Sequence, residues 1–412
     1  MMCGFIGLLK AQEKMLDLEE REEFKNRLNL IQHRGPDDKG YFEDEEIVLG
    51  FRRLSIIDIN SGHQPFSYED DRYWMVFNGE IYNYVELRES LQQKDVTFKT
   101  DSDTEVIIAL FANKGVDAFQ QLRGMFSILI WDKQSQCLYG GARDPFGIKP
   151  FYYKETEQGI YFASETKSLL SNKEQIEQQG LQDYLTFQYV PEPISMSQEV
   201  KRVEPGTYFI KQKDTPLTFH HYFKPNFSPV NKTENEWIDQ IQSRLDDSVQ
   251  KHMRSDVPVG SFLSGGIDSS IIVALAKRYH PDIKTFSVGF EQDGYSEIEV
   301  AKETADKLGV DNYSYIITPE EYVAKLPKIM WHMDDPLADP ACVPLYFVAR
   351  EAKKHVTVVL SGEGADELFG GYNIYHEPES LRVFDSIPPS SKRFISSSSK
   401  GVARRCKRQK LS

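Results

Sequence analysis

Cys3 is the first side chain of the sequence that could act as a nucleophile, and it opens an apolar run after two methionines. If processing exposed Cys3, one residue would carry both a thiol and an α-amine. An α-amine titrates near ~7.7–8.0 and a thiol near ~8.5, so the amine could accept the thiol's proton near neutral pH. This arrangement defines an N-terminal nucleophile. Taken alone, Cys3 is better explained as a small buried cysteine in a first strand.

Three downstream motifs could hold an amino acid beside that thiol. Arg52 and Arg53 lie in an apolar context, where one of them could bind an α-carboxylate bidentately. Asn78 and the backbone N–H of Gly79 could donate to a developing oxyanion. Asp103 lies at a predicted helix start and could hold an ammonium group. An ion pair, a hairpin turn and a helix N-cap would explain these motifs structurally, but together with the thiol they supply everything needed to open a glutamine side chain.

A second group of motifs lies in the other half of the chain. Residues 263–270 contain a Gly pair and three serines between an apolar strand and a helix, where backbone N–H and hydroxyl groups could bind an anion. No Walker pattern is present. Residues 361–372 form another Gly-rich loop after the strand predicted at 356–360. Because ligands gather beyond the carboxyl ends of parallel strands, we expect the two loops to share one crevice.

The elements that must position these motifs differ between the two halves. Residues 2–210 contain short β-like runs, with helices predicted at 22–32, at 84–93 and at 104–113 after a capping Asp103, which favours an α+β domain. Residues 211–236 are predicted to be a linker with some strand character. Residues 237–385 alternate apolar strands (257–263, 283–290, 356–360) with helices, which is typical of a doubly wound α/β domain with a parallel sheet. Residues 386–412, rich in Ser, Lys and Arg, are predicted to be a disordered tail.

Composition excludes several classes of protein. The net charge of −14 argues against a binder of nucleic-acid backbones, which needs a basic face. No apolar stretch approaches the roughly 20 residues that span a bilayer, and the N-terminus lacks the features of a signal peptide. Four scattered cysteines do not form a disulfide framework or a zinc cluster. We expect a cytoplasmic protein with no nucleic-acid and no membrane partner.

The first half resembles the class II glutamine amidotransferases, and the whole chain is similar to the glutamine-hydrolysing asparagine synthetases. The resemblance rests on Cys3-Gly4 and on the motifs at residues 33–37, 53–55, 78–83, 102–105, 124–126 and 143–147. It implies an αββα sandwich of the N-terminal nucleophile hydrolase type, with Cys3 as the nucleophile, Asn78 and Gly79 as the oxyanion hole and Asp103 on the amino group. The implied glutamine contacts are Arg53, Leu54, Ser55, Ile56, Ile57, Asn78, Gly79 and Glu80.

The 263–270 loop resembles the pyrophosphate loop of ATP pyrophosphatases, which adenylate a carboxylate. The resemblance implies that Glu363 promotes formation and aminolysis of an acyl-adenylate. It also implies that Asp268 helps to bind Mg²⁺ and that Asp366 helps to hold the metal or the aspartate substrate. Glutamine, aspartate and ATP would be the substrates, and a homodimer is usual in the family. The implied ATP contacts are Leu263, Ser264, Gly265, Gly266, Asp268, Ser269, Ser270, Val288, Ser361 and Gly362.

Two departures from the family pattern leave alternatives open. The family's cysteine follows one initiator methionine, whereas here there are two, so we hypothesise that translation starts at Met2. The family's synthetase half continues well past Tyr372, which predicts a shortened C-terminus. The chain could therefore be a non-enzymatic or glutaminase-only remnant. A separate alternative, and the closest one, is an enzyme of the same architecture that amidates another carboxylate, such as a cell-wall or antibiotic precursor.

Overall fold

The computed structural model describes residues 3–171, 173–291, 296–376 and 382. The chain divides into two units, Met1–Leu360 and Ser361–Ser412. The start-site prediction for Met1 and Met2 and the predicted tail at 386–412 lie outside the described residues. Within the part described, no helix is long and apolar enough to cross a membrane.

The first unit begins with two six-stranded sheets in which all neighbouring strands are antiparallel. The strands of the first sheet are β1 (Gly4–Lys10), β2 (Asp38–Glu43), β3 (Ile47–Arg53), β8 (Tyr152–Thr156), β9 (Gly159–Ala163) and β10 (Val200–Arg202), in the spatial order β10-β8-β9-β1-β3-β2. Those of the second are β4 (Phe66–Tyr68), β5 (Tyr73–Ile81), β6 (Gly124–Asp132), β7 (Cys137–Arg143), β11 (Thr207–Gln212) and β12 (Thr218–His221), in the order β12-β11-β7-β6-β5-β4. β12 falls within the segment predicted to be a linker.

The two sheets pack face to face between layers of helices. Phe5 and Phe51 of the first sheet meet Leu129 and Phe209 of the second in a fully buried core. The outer face of the first sheet is covered by α1 (Leu18–Asn29), and that of the second by α2 (Tyr84–Gln92) and α3 (Asp103–Lys114). A further helix, α4 (Gln178–Phe187), follows β9 in the chain. The predicted αββα sandwich is confirmed.

Some strands and helices begin or end at other residues than the sequence predicted. Asn78 and Gly79 lie inside β5, paired with Ser127 and Phe126, so the hairpin-turn alternative is wrong. The prediction that Asp103 caps α3 is wrong, because Asp103 is the first residue of the helix. The N-cap is Ser102, whose hydroxyl accepts from the Thr104 N–H at 3.1 Å. Similarly, α1 begins at Leu18, earlier than predicted, because Asp17 caps it in a reciprocal capping box.

The remainder of the first unit is built on a third sheet, which is parallel. Its strands are β13 (Val259–Phe262), β14 (Lys284–Phe290), β15 (Asn312–Ile317) and β16 (Val358–Leu360), in the order β15-β14-β13-β16. The connecting helices are α5 (Glu234–His252), α6 (Ile267–Tyr279), α7 (Ile298–Leu308), α8 (Pro319–Met333) and α9 (Cys342–Ala352).

Helices cover both faces of this parallel sheet. Val273 of α6 and Ala301 of α7 form a buried cluster with Leu263 on one side. Phe286 of β14 packs against Val348 of α9 on the other. The predicted doubly wound α/β architecture is thus confirmed. In the second unit the described residues form one short helix, α10 (Ala365–Phe369), and a 3₁₀ turn at Asn373–His376.

Candidate active site

Cys3 directly precedes β1, and its thiol is held by the residue that follows β3. The Leu54 N–H donates to the Cys3 sulfur at 3.3 Å, and the thiol is 3.5 Å from the Leu54 carbonyl oxygen, which can accept from it. Burial raises the pKa of the Cys3 thiol to about 11, although the hydrogen bond from Leu54 and the charges of nearby arginines oppose this. The thiol is therefore neutral at pH 7 and needs a base before it can attack.

A small pocket opens beside this sulfur. Seven of the nine predicted glutamine-site residues line it together with Cys3, whereas Ser55 and Asn78 do not belong to its wall. The pocket also contains Gly62, Gln64, Phe77, Ser102 and Thr104, which sequence reasoning did not assign. Its lining residues are Cys3, Arg53, Leu54, Ile56, Ile57, Gly62, Gln64, Phe77, Gly79, Glu80, Ser102, Asp103 and Thr104.

Strand alternation selects Arg53 over Arg52 as the arginine of this pocket. The Arg53 guanidinium is buried and donates to the carbonyl oxygens of Ile57, Asp58 and Ile59 at 3.2, 2.5 and 3.0 Å. Arg52 instead donates to the side chain of Asn29 on α1. Arg53 therefore both shapes the 57–59 loop and places positive charge at the pocket, which suits an α-carboxylate.

Asn78 and Gly79, the predicted oxyanion donors, lie next to each other in β5. The Asn78 side chain is fully buried, and neither its nitrogen nor its oxygen has a hydrogen-bond partner. By alternation along β5 it shares the inter-sheet face of Val76, the face against which Cys3 packs. At Gly79 a Cβ atom would come within 2.1 Å of the Met125 carbonyl oxygen, so only glycine fits there. An unpartnered buried amide is uncommon and calls for a functional explanation.

Two carboxyl groups, Glu80 and Asp103, give the pocket an acidic end. Asp103 Oδ2 accepts from the Ile81 N–H at 3.1 Å, and the Ser102 hydroxyl donates to Oδ1 at 3.4 Å. Burial raises the pKa of Asp103 to about 6. Burial and the Asp103 charge raise the pKa of Glu80 as well. A bound ammonium group would relieve the repulsion between the two carboxylates, so the site favours a cationic ligand at this end.

Lys149 is a buried cation that sequence reasoning missed. Burial and the Arg34 charge lower its pKa to about 7, and Glu80 and Cys3 are among the groups whose charges oppose this shift. Its ammonium donates to Met125 Sδ at 3.0 Å. The motif at 143–147 builds the loop that presents it, because the Asp144 carboxylate accepts from the backbone N–H groups of Ile148 and Lys149, each at 2.9 Å. The motif at 143–147 was therefore the sequence signal for this site, but Lys149 lies two residues beyond its end and was not included.

A much larger cavity, of about 1100 Å³, lies between the sandwich and the parallel-sheet region of the first unit. Arg53 and Leu54 line both this cavity and the small pocket, whereas Cys3 lines the small pocket. Ser55 also faces this cavity, and its N–H donates to Asp37 Oδ2 at 2.9 Å. On the other side the cavity reaches Thr357 and Val359 beside the third sheet.

The predicted anion loop lies between β13 and α6. The Ser264 and Ser269 hydroxyls are 3.0 Å apart, and the Gly266 N–H donates to the Ser264 hydroxyl at 3.3 Å. Gly265 has φ +86°, and a Cβ there would come within 3.0 Å of the Ala301 nitrogen. α6 has no side-chain N-cap, so its first N–H groups remain available to an anion. Asp268 lies in that first turn and Ser270 donates to the Gly266 carbonyl oxygen at 2.7 Å.

The other predicted nucleotide contacts lie in different environments. The Leu263 side chain is buried, which leaves its backbone for a ligand, while Val288 packs with Phe286 and Phe347 on the α9 face of the sheet. In the second unit, the N–H of Glu363 donates to the Ser361 hydroxyl at 3.3 Å, with Gly362 between them. Asp366 lies in the first turn of α10. A crevice shared by the two loops stays a prediction.

Comparison with known proteins assigns the class first. A family model for a glutamine amidotransferase domain matches residues 2–223, and one for asparagine synthase matches residues 240–411. The fold and pocket are thus those of a glutamine amidotransferase of the N-terminal nucleophile type, followed by an α/β domain of the asparagine synthase family.

Individual relatives identify the family. "Asparagine synthetase [glutamine-hydrolyzing] 1" of Bacillus subtilis is 58% identical over 96% of this chain and 62% of the relative. A putative asparagine synthetase of Mycobacterium bovis is 46% identical over 97% of this chain and 65% of the relative. A putative asparagine synthetase of Methanocaldococcus jannaschii is 34% identical over 95% and 81%. The chain belongs to the glutamine-hydrolysing asparagine synthetase family, and it spans a little under two thirds of the length of the first two relatives.

Proposed function

We propose that this chain releases ammonia from glutamine in a glutaminase domain, residues 2–210, and uses it in a synthetase domain, residues 237–385, to convert aspartate into asparagine. The observation that carries the proposal is the small pocket in which Cys3, Arg53 and Asp103 converge. It offers a nucleophile, a cation and a carboxylate to one ligand. An amino acid presents the matching set of an electrophilic side chain, an α-carboxylate and an α-ammonium.

The glutaminase reaction starts at the sulfur. Once Cys3 is N-terminal, its α-amine accepts the thiol proton, and the thiolate attacks the side-chain amide carbon of glutamine. The Asn78 amide and the Gly79 N–H donate to the oxyanion that forms. The C–N bond then breaks, and the leaving nitrogen takes the proton back and departs as ammonia. Water hydrolyses the remaining γ-glutamyl thioester to glutamate and restores the thiol.

The synthetase reaction activates a poor electrophile, because a free carboxylate has no adequate leaving group. The aspartate side-chain carboxylate attacks the α-phosphorus of ATP, which gives aspartyl-adenylate and pyrophosphate. Ammonia then attacks the acyl carbon, and asparagine and AMP leave. Ser264, Ser269 and the N-terminus of α6 would hold the pyrophosphate portion, and Glu363 would promote both steps.

Mg²⁺ would suit the carboxylate of Asp268 in the predicted anion loop. Mg²⁺ is typically held by one or two carboxylates plus the phosphates of a nucleotide rather than by an all-protein cage. Asp268 supplies such a carboxylate at the start of α6, and Asp366 would supply another. Among the described residues no cluster of three or more His, Cys, Asp or Glu side chains could hold a metal on its own. Bound Mg²⁺ would neutralise charge on the ATP phosphates.

Ammonia must reach the second site without protonation in bulk water. We propose that it passes through the large cavity, which shares Arg53 and Leu54 with the glutamine pocket and is also lined by Thr357 and by Val359 of β16. We also propose a cytoplasmic homodimer without nucleic-acid or membrane partners, in keeping with the net charge of −14. Sedimentation velocity of the purified chain tests the oligomeric state.

The direct experiment incubates the chain, prepared with Cys3 as its first residue, with glutamine, aspartate, ATP and Mg²⁺. The proposal requires release of glutamate, pyrophosphate and asparagine. Glutamate without pyrophosphate would instead support the glutaminase-only remnant. Pyrophosphate formed with another carboxylate but not with aspartate would support a different acceptor.

A further inference from the structure

Four charged side chains connect the C-terminal end of α8 to the backbone of Cys3. Lys167 Nζ is 3.0 Å from Asp334 Oδ1 and 2.5 Å from Glu165 Oε2. Arg34 Nη1 donates to Glu165 Oε1 at 2.9 Å, and its Nε donates to the Cys3 carbonyl oxygen at 2.9 Å. Asp334 follows α8, whereas Glu165, Lys167 and Arg34 belong to the sandwich. The chain of contacts therefore crosses from one half of the first unit to the nucleophile in the other.

These ion pairs are not of the weak, solvated kind. The side chains of Glu165 and Asp334 are 5% and 6% exposed, and those of Lys167 and Arg34 are 11% and 15% exposed. Burial opposes ionisation of Glu165, yet a hydrogen bond from His33 and the charges of Arg34 and Lys167 outweigh it and lower its pKa to about 2. Removing one partner from a buried pair leaves an uncompensated buried charge, so the loss of any member of this network is costly.

The α8 end of the network is held in one conformation. Asp334 has φ +67°, a left-handed value that a non-glycine residue keeps only where its surroundings enforce it. Its carboxylate accepts from the backbone N–H groups of Thr166 and Lys167, the latter at 3.1 Å. The Lys167 ammonium also lies 4.5 Å from the centre of the Trp331 ring of α8. A displacement of α8 would therefore change the position of Lys167 and, with it, the contacts of Glu165.

We propose that Asp334, Lys167, Glu165 and Arg34 form a positioning network through which the end of α8 sets the geometry of the Cys3 nucleophile. Asp334 lies outside the glutaminase domain and does not line the glutamine pocket, so its role would be positioning and not catalytic. The inference rests on the glutaminase activity proposed above.

The network should control turnover and not substrate affinity. The last hydrogen bond of the network runs from Arg34 to the Cys3 carbonyl oxygen. A change in this bond would therefore rotate Cys3, which carries both the sulfur and the α-amine. Arg53 and Asp103, which would hold the glutamine, have no contact with Asp334 or Lys167 and keep their own hydrogen bonds. We therefore expect a lower kcat with an unchanged KM for glutamine.

Asp335 supplies a matched control one residue away. It makes another largely buried contact between the halves, with Arg202 and with the Tyr152 hydroxyl at 3.3 Å. This contact leads to β8 and β10 and not to Cys3. Asp334→Asn, Asp335→Asn and the parent, all prepared with Cys3 first, are compared for kcat and KM of glutamine hydrolysis and for thermal stability. We expect Asp334→Asn to lower kcat by roughly 2- to 30-fold, with Asp335→Asn at the parent value.

The conservative variant and a second site complete the test. Lys167→Arg should restore most of the activity that Lys167→Gln loses, since the charge is kept. If Asp334→Asn does not fold, Lys167→Gln carries the same comparison from the sandwich side. Equal kcat in Asp334→Asn, Lys167→Gln and the parent, or an equal loss in Asp335→Asn, would overturn the positioning network while leaving the proposed function intact. A parent without any glutaminase activity would overturn both.

Discussion

The sulfur of Cys3 lies 3.3 Å from the backbone nitrogen of Leu54. This contact follows from the register of β1 and β3, in which Gly4 pairs with Arg52, so the residue before β1 lies beside the residues at the end of β3. The same register places the Arg53 guanidinium at the pocket. One strand pair therefore aligns the nucleophile with the cation that would hold its substrate.

The state of the N-terminus should decide activity. Because burial raises the pKa of the Cys3 thiol to about 11, a chain that retains Met2 has no adjacent amine to remove the proton at pH 7. We expect glutamine hydrolysis to be about 10²- to 10⁴-fold slower than with Cys3 first, the usual contribution of a positioned base. Intact mass spectrometry identifies the two preparations, and glutamate release compares them. Equal rates would exclude the α-amine as the base.

Asp103→Asn should weaken glutamine binding. It removes the charge that would meet the substrate ammonium, a charged hydrogen bond of about 1.5–3 kcal/mol, so KM should rise by roughly 10- to 100-fold. The pKa of Asp103 is raised to about 6, so in the parent the carboxylate is ionised above that pH and binding should weaken as the pH falls through it. The variant should lack this pH dependence. Asp101→Asn, at a fully exposed side chain, is the control.

Asn78→Ala should separate function from stability. Both polar atoms of the Asn78 side chain are buried without a partner, so the fold loses no hydrogen bond when they are removed. Loss of one oxyanion donor should lower kcat by about 10²- to 10³-fold. Ser127→Ala, across the strand pair and also without a hydrogen-bond partner, should change neither kcat nor the denaturation midpoint. A large stability loss in Asn78→Ala with unchanged kcat would assign the amide a structural role.

Gly79→Ala should damage the sheet itself. The added Cβ would meet the Met125 carbonyl oxygen at 2.1 Å and the Phe126 Cα at 2.8 Å, and backbone atoms of a paired strand cannot move aside easily. We expect the free energy of unfolding to fall by about 1–3 kcal/mol or more. Urea denaturation followed by circular dichroism measures it. A midpoint equal to that of the parent would show that β5 and β6 separate more readily than their register suggests.

The stability of the fold should also depend on Asp103. A carboxyl group whose pKa is raised on folding destabilises the folded state as the pH rises from its unfolded pKa near ~3.9 to its folded value of about 6. Asp103→Asn should therefore be more stable than the parent at pH 7, and this difference should disappear near pH 4. Thermal unfolding at both pH values measures the effect, and a variant less stable at pH 7 would contradict the assigned shift.

Sequence reasoning predicted what depends on local pattern. The apolar strands at 283–290 and 356–360 indicated the parallel sheet, because strands buried on both faces have few polar residues. The Gly pair at 265–266 indicated a turn between the strand and the helix, and Gly265 has positive φ; anion binding there stays a prediction. Motifs near Cys3 and Asp103 indicated the pocket because their thiol and carboxylate groups are complementary to the groups of one amino-acid ligand.

What sequence reasoning missed depends on long-range pairing. Asn78 and Gly79 form a typical turn dipeptide, but pairing with Ser127 and Phe126 keeps them within β5. The residues alone left open whether Arg52 or Arg53 enters the pocket, because the choice depends on which face of β3 meets the second sheet; it was the family resemblance that named Arg53. Lys149 becomes part of the site only because the loop around Asp144 folds back on β6. None of these relationships has a local signature.

The most direct test of the account compares Cys3→Ala with its parent, both prepared with residue 3 as the N-terminus, for glutamate release from glutamine under saturating conditions. Circular dichroism of both proteins verifies the fold, since alanine fits where cysteine fits. The account predicts that the alanine variant shows only the rate of the buffer blank. Glutamate release at the parent's rate would contradict it.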